Sequence, residues 1–386
     1  MSVSVPTRTD WGLVILLWTA GLFAAAQFGK VSLALAEYQA AYPGLAARAA
    51  LIVSSVGCVG IFLGAAAGMM TARLGARRVL LAALALGAGM SLLQILLPPF
   101  PVLLASRVVE GFSHLSIVIA APTLMARIST VRDRPVVMGL WGMFFGVSFA
   151  LTAVVLPPLL LLGGIRATLL AHAAGMTLIG IALWPLLPRG VARDVSTLDW
   201  IAEHVAIYGD RRIAAPALIF FWHTLIFVAV LTFLPPFLGS EPWIAASLPL
   251  MSLIGTFGAG VLSRGVAPQR LALLSFASTI VLGALLLSVA ESLRLWVALP
   301  LMLGIGAIPG ASFAAIPALN HTFRNQARAN GAVAQLGNIG TTGGTPLYAF
   351  FLTMDGFFAV VSLTMALSLC GSLSLLWVFR RLSGDG

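Results

Sequence analysis

Long, nearly unbroken apolar runs separated by short connections that carry arginine dominate the chain. Twelve runs approach the roughly 20 residues that take a helix across about 30 Å of hydrocarbon. They cover residues 11–36, 46–70, 77–98, 101–126, 136–161, 166–187, 213–237, 243–263, 270–289, 293–318, 328–353 and 356–379. The pattern predicts an all-α polytopic membrane protein. Its predicted organisation is a six-helix bundle over 1–187, a linker over 188–212 and a second six-helix bundle over 213–386. The first run resembles a signal sequence, with Arg8 before it and Ala24-Ala25-Ala26 inside it. It continues past that point through Lys30, and its removal would leave an odd number of spans, so it is read as retained.

The connections set the expected orientation. Arg73, Arg77 and Arg78 follow span 2; Arg127, Arg132 and Arg134 follow span 4; Arg189, Arg193, Arg211 and Arg212 follow span 6. Arg264, Arg270, Arg324, Arg328, Arg380 and Arg381 continue the series, whereas the opposite connections carry only Arg48, Arg166 and Arg294. The positive-inside rule then places both termini in the cytoplasm. The expected location is the bacterial inner membrane, with the lipid bilayer as surroundings and a monomer as the unit.

In the linker, Ser196-Thr-Leu-Asp199 has capping-box character, and Trp200, Ile201, Val205 and Tyr208 recur at near-helical spacing. These residues predict a short amphipathic helix on the membrane surface, with a structureless linker as the alternative. The halves also repeat. A shift of about 195 residues lays Gly111 on Gly306, Pro122 on Pro317 and Gly142 on Gly337, and duplicated halves place a binding site near the membrane midplane.

Composition narrows the function classes. The chain is 60% hydrophobic and 9% charged, far from the roughly 25% charge of soluble domains. Its net charge of +10 comes in arginine clusters without interleaved aromatics, so nucleic acid is not an expected partner. Cys58 and Cys370 sit in apolar runs with no metal-ligand spacing and are assigned to packing. Neither a metal nor a cofactor is implied: the chain has no nucleotide-binding loop and no spaced nucleophile and base, so it is not read as an enzyme.

Charge inside the spans is rare and therefore informative. Arg107, Glu110 and His114 interrupt the run from Phe100 to Met125 and, with Gly111, share one helical stripe. Burying charge in a membrane costs at least about 2.5–3.5 kcal/mol per group, so such residues face a partner or a wet cavity. Glu110 is the candidate proton carrier, with a permanent ion pair to Arg107 as the alternative. For His114 and His223, a hydrogen-bonded packing role competes with a place in the site. Lys30, the single lysine among the 22 basic residues, has apolar sequence on both sides and is out of easy snorkelling reach.

Two motifs carry a family resemblance that covers essentially the whole chain. Gly68-Met-Met-Thr-Ala72-Arg73-Leu-Gly75-Ala-Arg77-Arg78 is similar to the Gly-x-x-x-Asp-Arg-x-Gly-Arg-Arg signature of the major facilitator superfamily. Arg107-x-x-Glu110-Gly111 is similar to that family's Arg-x-x-Gln/Glu-Gly signature. The resemblance implies two pseudo-symmetric six-helix halves, with spans 1, 4, 7 and 10 around a central cavity. It brings Lys30 toward Arg107, Glu110 and His114; by the repeat, His223 falls near the equivalent of Lys30 and so at comparable depth in the other half, with Trp222 beside it as a further substrate-site candidate. It also gives Arg107 two possible roles: bonding the carbonyls of a neighbouring helix, or contacting an anion directly.

The family's acidic residue falls on Ala72, which leaves Arg73 and Arg77 to find other partners in gating. In span 5, Gly139, Gly142 and Gly146 permit close helix packing. Span 10 carries Gly304, Gly306, Pro309 and Gly310, which fit a gate hinge or tight packing equally. The second half offers neutral polar groups in place of charge: Gln335, Asn338, Thr341 and Thr342, with Ser312.

The expected function is secondary transport of a small organic anion or zwitterion by alternating access, coupled to protons as a symport. Lys30 and Arg107 against Glu110 favour an anion, and the scarcity of membrane carboxylates favours protons over sodium. The competing readings are a proton-driven exporter of amphiphilic compounds, supported by Phe144, Phe145, Phe221 and Trp222, and a transporter-like sensor or assembly factor without turnover.

Overall fold

The computed structural model describes residues 7–43, 50–188, 200–239 and 242–384. The expectations for Arg48, Arg189, Arg193 and the box at Ser196–Asp199 lie outside them. Among the described residues, thirteen α-helices account for the regular structure apart from short 3-10 turns. They are α1 (Trp11–Ser32), α2 (Leu35–Ala41), α3 (Ala50–Leu74), α4 (Ala76–Ile95), α5 (Phe100–Arg127), α6 (Arg134–Gly142) and α7 (Phe144–Leu186), then α8 (Trp200–Gly209), α9 (Arg211–Phe233), α10 (Pro242–Leu262), α11 (Pro268–Ser288), α12 (Arg294–Leu319) and α13 (Phe323–Gly384).

Among the described residues eight helices are long and apolar enough to cross a membrane, and a bent pair within α3 would make a ninth. Two of the thirteen cover two predicted runs each. In α7 the chain reverses at Gly163 and Gly164, and Gly164 adopts φ 64, a conformation that side-chain-bearing residues avoid. In α13 the runs 328–353 and 356–379 meet at Gly356. Large apolar side chains point outward, Leu161 and Leu162 being 90% and 80% exposed, as a lipid-facing surface requires.

Local chemistry starts the helices where they are needed. The Asp10 carboxylate accepts from the Leu13 amide at 3.0 Å and caps α1, and Asp210 caps α9 through the Arg212 amide at 2.8 Å. Pro99 precedes α5 and Pro101 sits in its first turn, where a missing N–H costs nothing.

The chain divides into two compact units, residues 1–130 with 144–203 and residues 131–143 with 204–386. In the first, α5 packs on α3, α4 and α1, while α7 packs on α1 and α4. The second repeats the scheme, with α12 on α10, α11 and α9, and α13 on α9 and α11. This is the internal repeat in three dimensions. The division differs from the expected boundary in one respect: residues 131–143, which include α6, pack with the second unit against α10 and α12. The reason is a glycine crossing. A Cβ placed on Gly139 would lie 2.7 Å from the Gly260 Cα, and one on Gly260 would lie 2.5 Å from the Gly139 Cα. The small residues of span 5 thus serve close packing.

The linker helix exists as α8, over the last part of 188–212. It exposes Ile201 and Val205 and buries Ile207.

Candidate functional site

The first unit holds a buried charge cluster built by α1, α4, α5 and α7. Gly111 makes it possible: a Cβ there would lie 2.7 Å from the Val56 carbonyl oxygen, so the α3 backbone approaches α5 closely. One turn away on each helix, Arg107 reaches the Ile52 carbonyl, donating through Nε at 3.0 Å. Its Nη2 donates to the Gln27 carbonyl at 2.7 Å and its Nη1 to Glu110 Oε2 at 2.5 Å. Both roles open to Arg107 thus narrow in this geometry: its fork binds two helices and one carboxylate, and its surface is wholly buried.

Glu110 is the hub. Its Oε1 accepts from Lys30 Nζ at 2.5 Å; its Oε2 accepts from Arg107 and from Gln94 Nε2 at 2.9 Å. Lys30 also donates to Ser91 Oγ at 2.7 Å and lies 3.4 Å from His172 Nδ1. His172 Nε2 lies 3.0 Å from the Phe23 carbonyl, which only accepts, so Nε2 carries the proton. The neutral Nδ1 then accepts from Ser91 Oγ at 2.9 Å. With His172 neutral, two cations face one carboxylate, and the cluster holds one net positive charge. A charge-assisted network of this kind persists in a membrane because each ionised group has several partners.

His172, Ser91, Gln94 and Gln27 were not singled out from sequence. The signal for His172 was present, since it interrupts the apolar run 166–187 as His114 interrupts its own. Gln27 donates to Ser113 Oγ at 2.9 Å, and Gly87 leaves the room: a Cβ there would lie 2.7 Å from Gln27 Nε2 and 2.6 Å from Ser113 Oγ.

His114 stands apart from this cluster. Its Nδ1 donates to the Ala24 carbonyl at 2.9 Å and its ring meets Phe28 edge-on at 4.9 Å. Phe28 in turn contacts Phe145, which stacks on Phe149. This aromatic flank of α1 and α7 is a second feature of the first unit.

In the second unit the candidates are dispersed. His223 donates Nδ1 to the Ile305 carbonyl at 3.0 Å and stacks on Phe227. Trp222 donates to Ser374 Oγ at 2.9 Å within the apolar cluster of Phe276, Ile308 and Leu375, where it fills space. Gln335 accepts from the Tyr208 hydroxyl at 2.6 Å, Asn338 bonds its own helix at Ala334, and Ser312 donates to the Pro216 carbonyl.

The positions expected to gate take structural places. Gly75, with φ 86, starts α4, and Gly68 is buried in α3. Arg77 donates to the Trp184 carbonyl at 2.7 Å and lies over its ring, so it has a partner that is not an acid. Arg73 is half-buried, and Arg78 is exposed. Helix α12 runs unbroken through Gly306, Pro309 and Gly310. A Cβ on Gly306 would lie 2.1 Å from the Ser252 carbonyl oxygen, and one on Gly310 equally close to that of Thr256, so these glycines serve tight packing on α10. Beside this crossing, Arg264 Nη2 donates to Asp133 Oδ1 at 2.8 Å.

Two repeated helical units that span a membrane, with ionised groups buried in one of them, define a multi-pass membrane carrier. A model of the Major Facilitator Superfamily matches residues 17–345, and the chain belongs to that family. Among solved structures, it resembles the Escherichia coli fucose:proton symporter FucP, with a TM-score of 0.73 at 17% identity over 97% of this chain and 99% of that one. The proton:xylose symporter XylE matches at 0.72 with 14% identity over 96% and 95%. The human organic anion transporter MFSD10 (TETRAN) matches at 0.70 with 18% identity over 94% and 98%. At these identities the likeness concerns the fold. Compared with curated protein sequences, the chain has no significant match. It is a secondary transporter of this superfamily, and not an enzyme.

Proposed function

We propose that the chain moves a small organic anion, or a zwitterion with an anionic group, together with protons. The observation that carries this reading is the net positive cluster of Lys30, Arg107 and Glu110, buried inside a membrane unit. A hydrocarbon surrounding makes an uncompensated cation costly, so an anion is the ligand such a cluster favours. Lys30 is the substrate-facing cation, because Arg107 is engaged with backbone carbonyls as well as Glu110.

Glu110 is the coupling residue. While ionised it holds Lys30. Once protonated it releases the ammonium to an incoming carboxylate, and the cluster still carries one net positive charge. Loading one proton with one monoanion therefore adds no buried charge, which is a physical reason for the two to travel together. The Ser91 hydroxyl and His172 hold the ammonium in place during the exchange. That two of the similar folds belong to proton symporters and one to an organic anion transporter supports the reading by analogy. The arginine-bearing connections support an inner-membrane placement with both termini cytoplasmic.

The test is flux in proteoliposomes with a panel of small carboxylates under an imposed pH gradient. A carboxylate should accumulate in wild type, and Glu110→Gln should retain exchange while losing accumulation. Accumulation that persists in Glu110→Gln would refute the coupling role. A second reading, export of amphiphilic cations, draws on the aromatic flank Phe28, Phe145 and Phe149. It requires that cationic amphiphiles stabilise wild type and Lys30→Gln equally.

A further inference from the structure

Between the two arms of α7, with α1 as its floor, lies a cleft of about 280 Å³. Leu22, Phe23 and Ala26 of α1 face Leu151, Val155 and Leu159 of the first arm, and Thr168 and Ala171 line the second. Its walls are overwhelmingly apolar, yet Lys30 and His172 also line it. Both belong to the buried cluster, so the cleft runs beside it. Leu151 and Val155 at its mouth are each 50% exposed. They adjoin Val154, Leu161 and Leu162, the outward-facing apolar side chains of the same arm. Phe28, Phe145 and Phe149 do not line it, so the cleft is distinct from the aromatic flank.

An apolar trough with a lysine in its lining matches one kind of ligand. We propose that the cleft binds a free amphiphilic carboxylate from the lipid phase, its hydrocarbon tail between the arms of α7 and its carboxylate at Lys30. The volume holds on the order of ten groups of water size, at about 30 Å³ each, which corresponds to a medium-length chain. Each methylene removed from water favours binding, so affinity should climb about fourfold per methylene until the cleft is full. The charge fits as well: once Glu110 is protonated the Lys30 ammonium is met by one carboxylate, and the cluster keeps its single net positive charge. This inference rests on the anion-transport reading, and names the substrate class and its way in.

The experiment uses full-length protein in lipid nanodiscs and in proteoliposomes. Binding is read from the shift in thermal unfolding with acetate, hexanoate, decanoate and decanol, and from native mass spectrometry of what remains bound. Leu151→Trp and Val155→Trp enlarge two half-exposed side chains of the cleft lining. Decanoate should stabilise wild type at least tenfold more strongly, by apparent dissociation constant, than acetate or decanol, and each tryptophan should weaken decanoate at least tenfold. Equal binding of decanoate by wild type and both variants overturns the proposal. So does equal binding of decanol, or a phospholipid retained in the cleft that decanoate does not displace. Flux of short carboxylates separates the two levels. If they still accumulate with protons while decanoate fails, only the cleft inference is lost. If no carboxylate of any length binds or moves, both fall together.

Discussion

Glu110→Gln tests whether the buried cluster is held by charge. Glu110 takes hydrogen bonds from Lys30, Arg107 and Gln94, and the two cations are 2% and 0% exposed. An amide keeps the shape but removes the counter-charge from both. Breaking a buried ion pair by removing one partner costs about 3–5 kcal/mol. Lys30→Met should cost less, because Glu110 keeps Arg107 and Gln94; the loss is that of a charged hydrogen bond, about 1.5–3 kcal/mol. The double variant removes the orphaned ammonium together with its partner, so its cost should fall short of the sum by about 0.5–3 kcal/mol. Thermal unfolding in one detergent, followed by the fluorescence of the nine tryptophans, gives all four corners of the cycle. An additive cycle, or a Glu110→Gln cost below that of Lys30→Met, would refute the view that an ionised Glu110 holds the cations.

Three further outcomes follow from the packing. Gly111→Ala should drive α3 away from α5 and detach Arg107 from the Ile52 carbonyl, losing about 1–3 kcal/mol of stability and most transport; unchanged unfolding and flux would contradict the close approach. Gly306→Ala should destabilise by a similar amount through the Ser252 carbonyl, and a variant that unfolds normally but transports slowly would instead restore the hinge. Arg264→Ala breaks a pair whose side chains are 40% and 21% exposed, so its stability cost should stay below about 1 kcal/mol at ordinary salt, measured by the same unfolding assay; a cost of several kcal/mol would mean the pair is far more isolated from solvent than it looks.

The helical runs were legible because membrane crossing forces length and apolarity onto sequence, although run 136–161 divides between α6 and α7 and run 11–36 between α1 and α2. Arg107 and Glu110 were legible for the same reason turned around: charge is conspicuous where it is expensive. Lys30 was reached through the family resemblance, which supplied the neighbour it needed. What escaped was the neutral part of the cluster. Ser91, Gln94 and Gln27 are ordinary residues of membrane helices, and only the crossing of α1, α4 and α5 reveals that Gln94 bonds Glu110, Ser91 bonds Lys30 and the Gln27 carbonyl bonds Arg107. The placing of α6 escaped too, since a glycine spacing announces close packing without naming the partner. Gly306 and Gly310 show the converse limit, because a cluster of Gly and Pro in sequence does not distinguish a hinge from a tight seam.

The two units share one pattern of helix contacts but differ in what fills it. In the first, Gly111 and Gly87 are small so that polar side chains fit: one lets Arg107 reach a carbonyl of α3, the other shelters Gln27 and Ser113. In the second, Gly255, Gly306 and Gly310 are small so that backbones touch, and the described groups at the equivalent places of Arg107 and Glu110 are Met302 and Ile305, both buried in the apolar cluster. Both uses exploit the same freedom, a missing Cβ, toward opposite ends. A charge cluster needs its donors held in fixed geometry, whereas a seam needs only close contact. If the coupling chemistry resides in the first unit, then introducing an acid at Met302 should merely destabilise the second, by the cost of an unpaired buried carboxylate, without creating a new proton dependence. Flux of Met302→Glu with an altered proton requirement would show that the second unit also shapes the site.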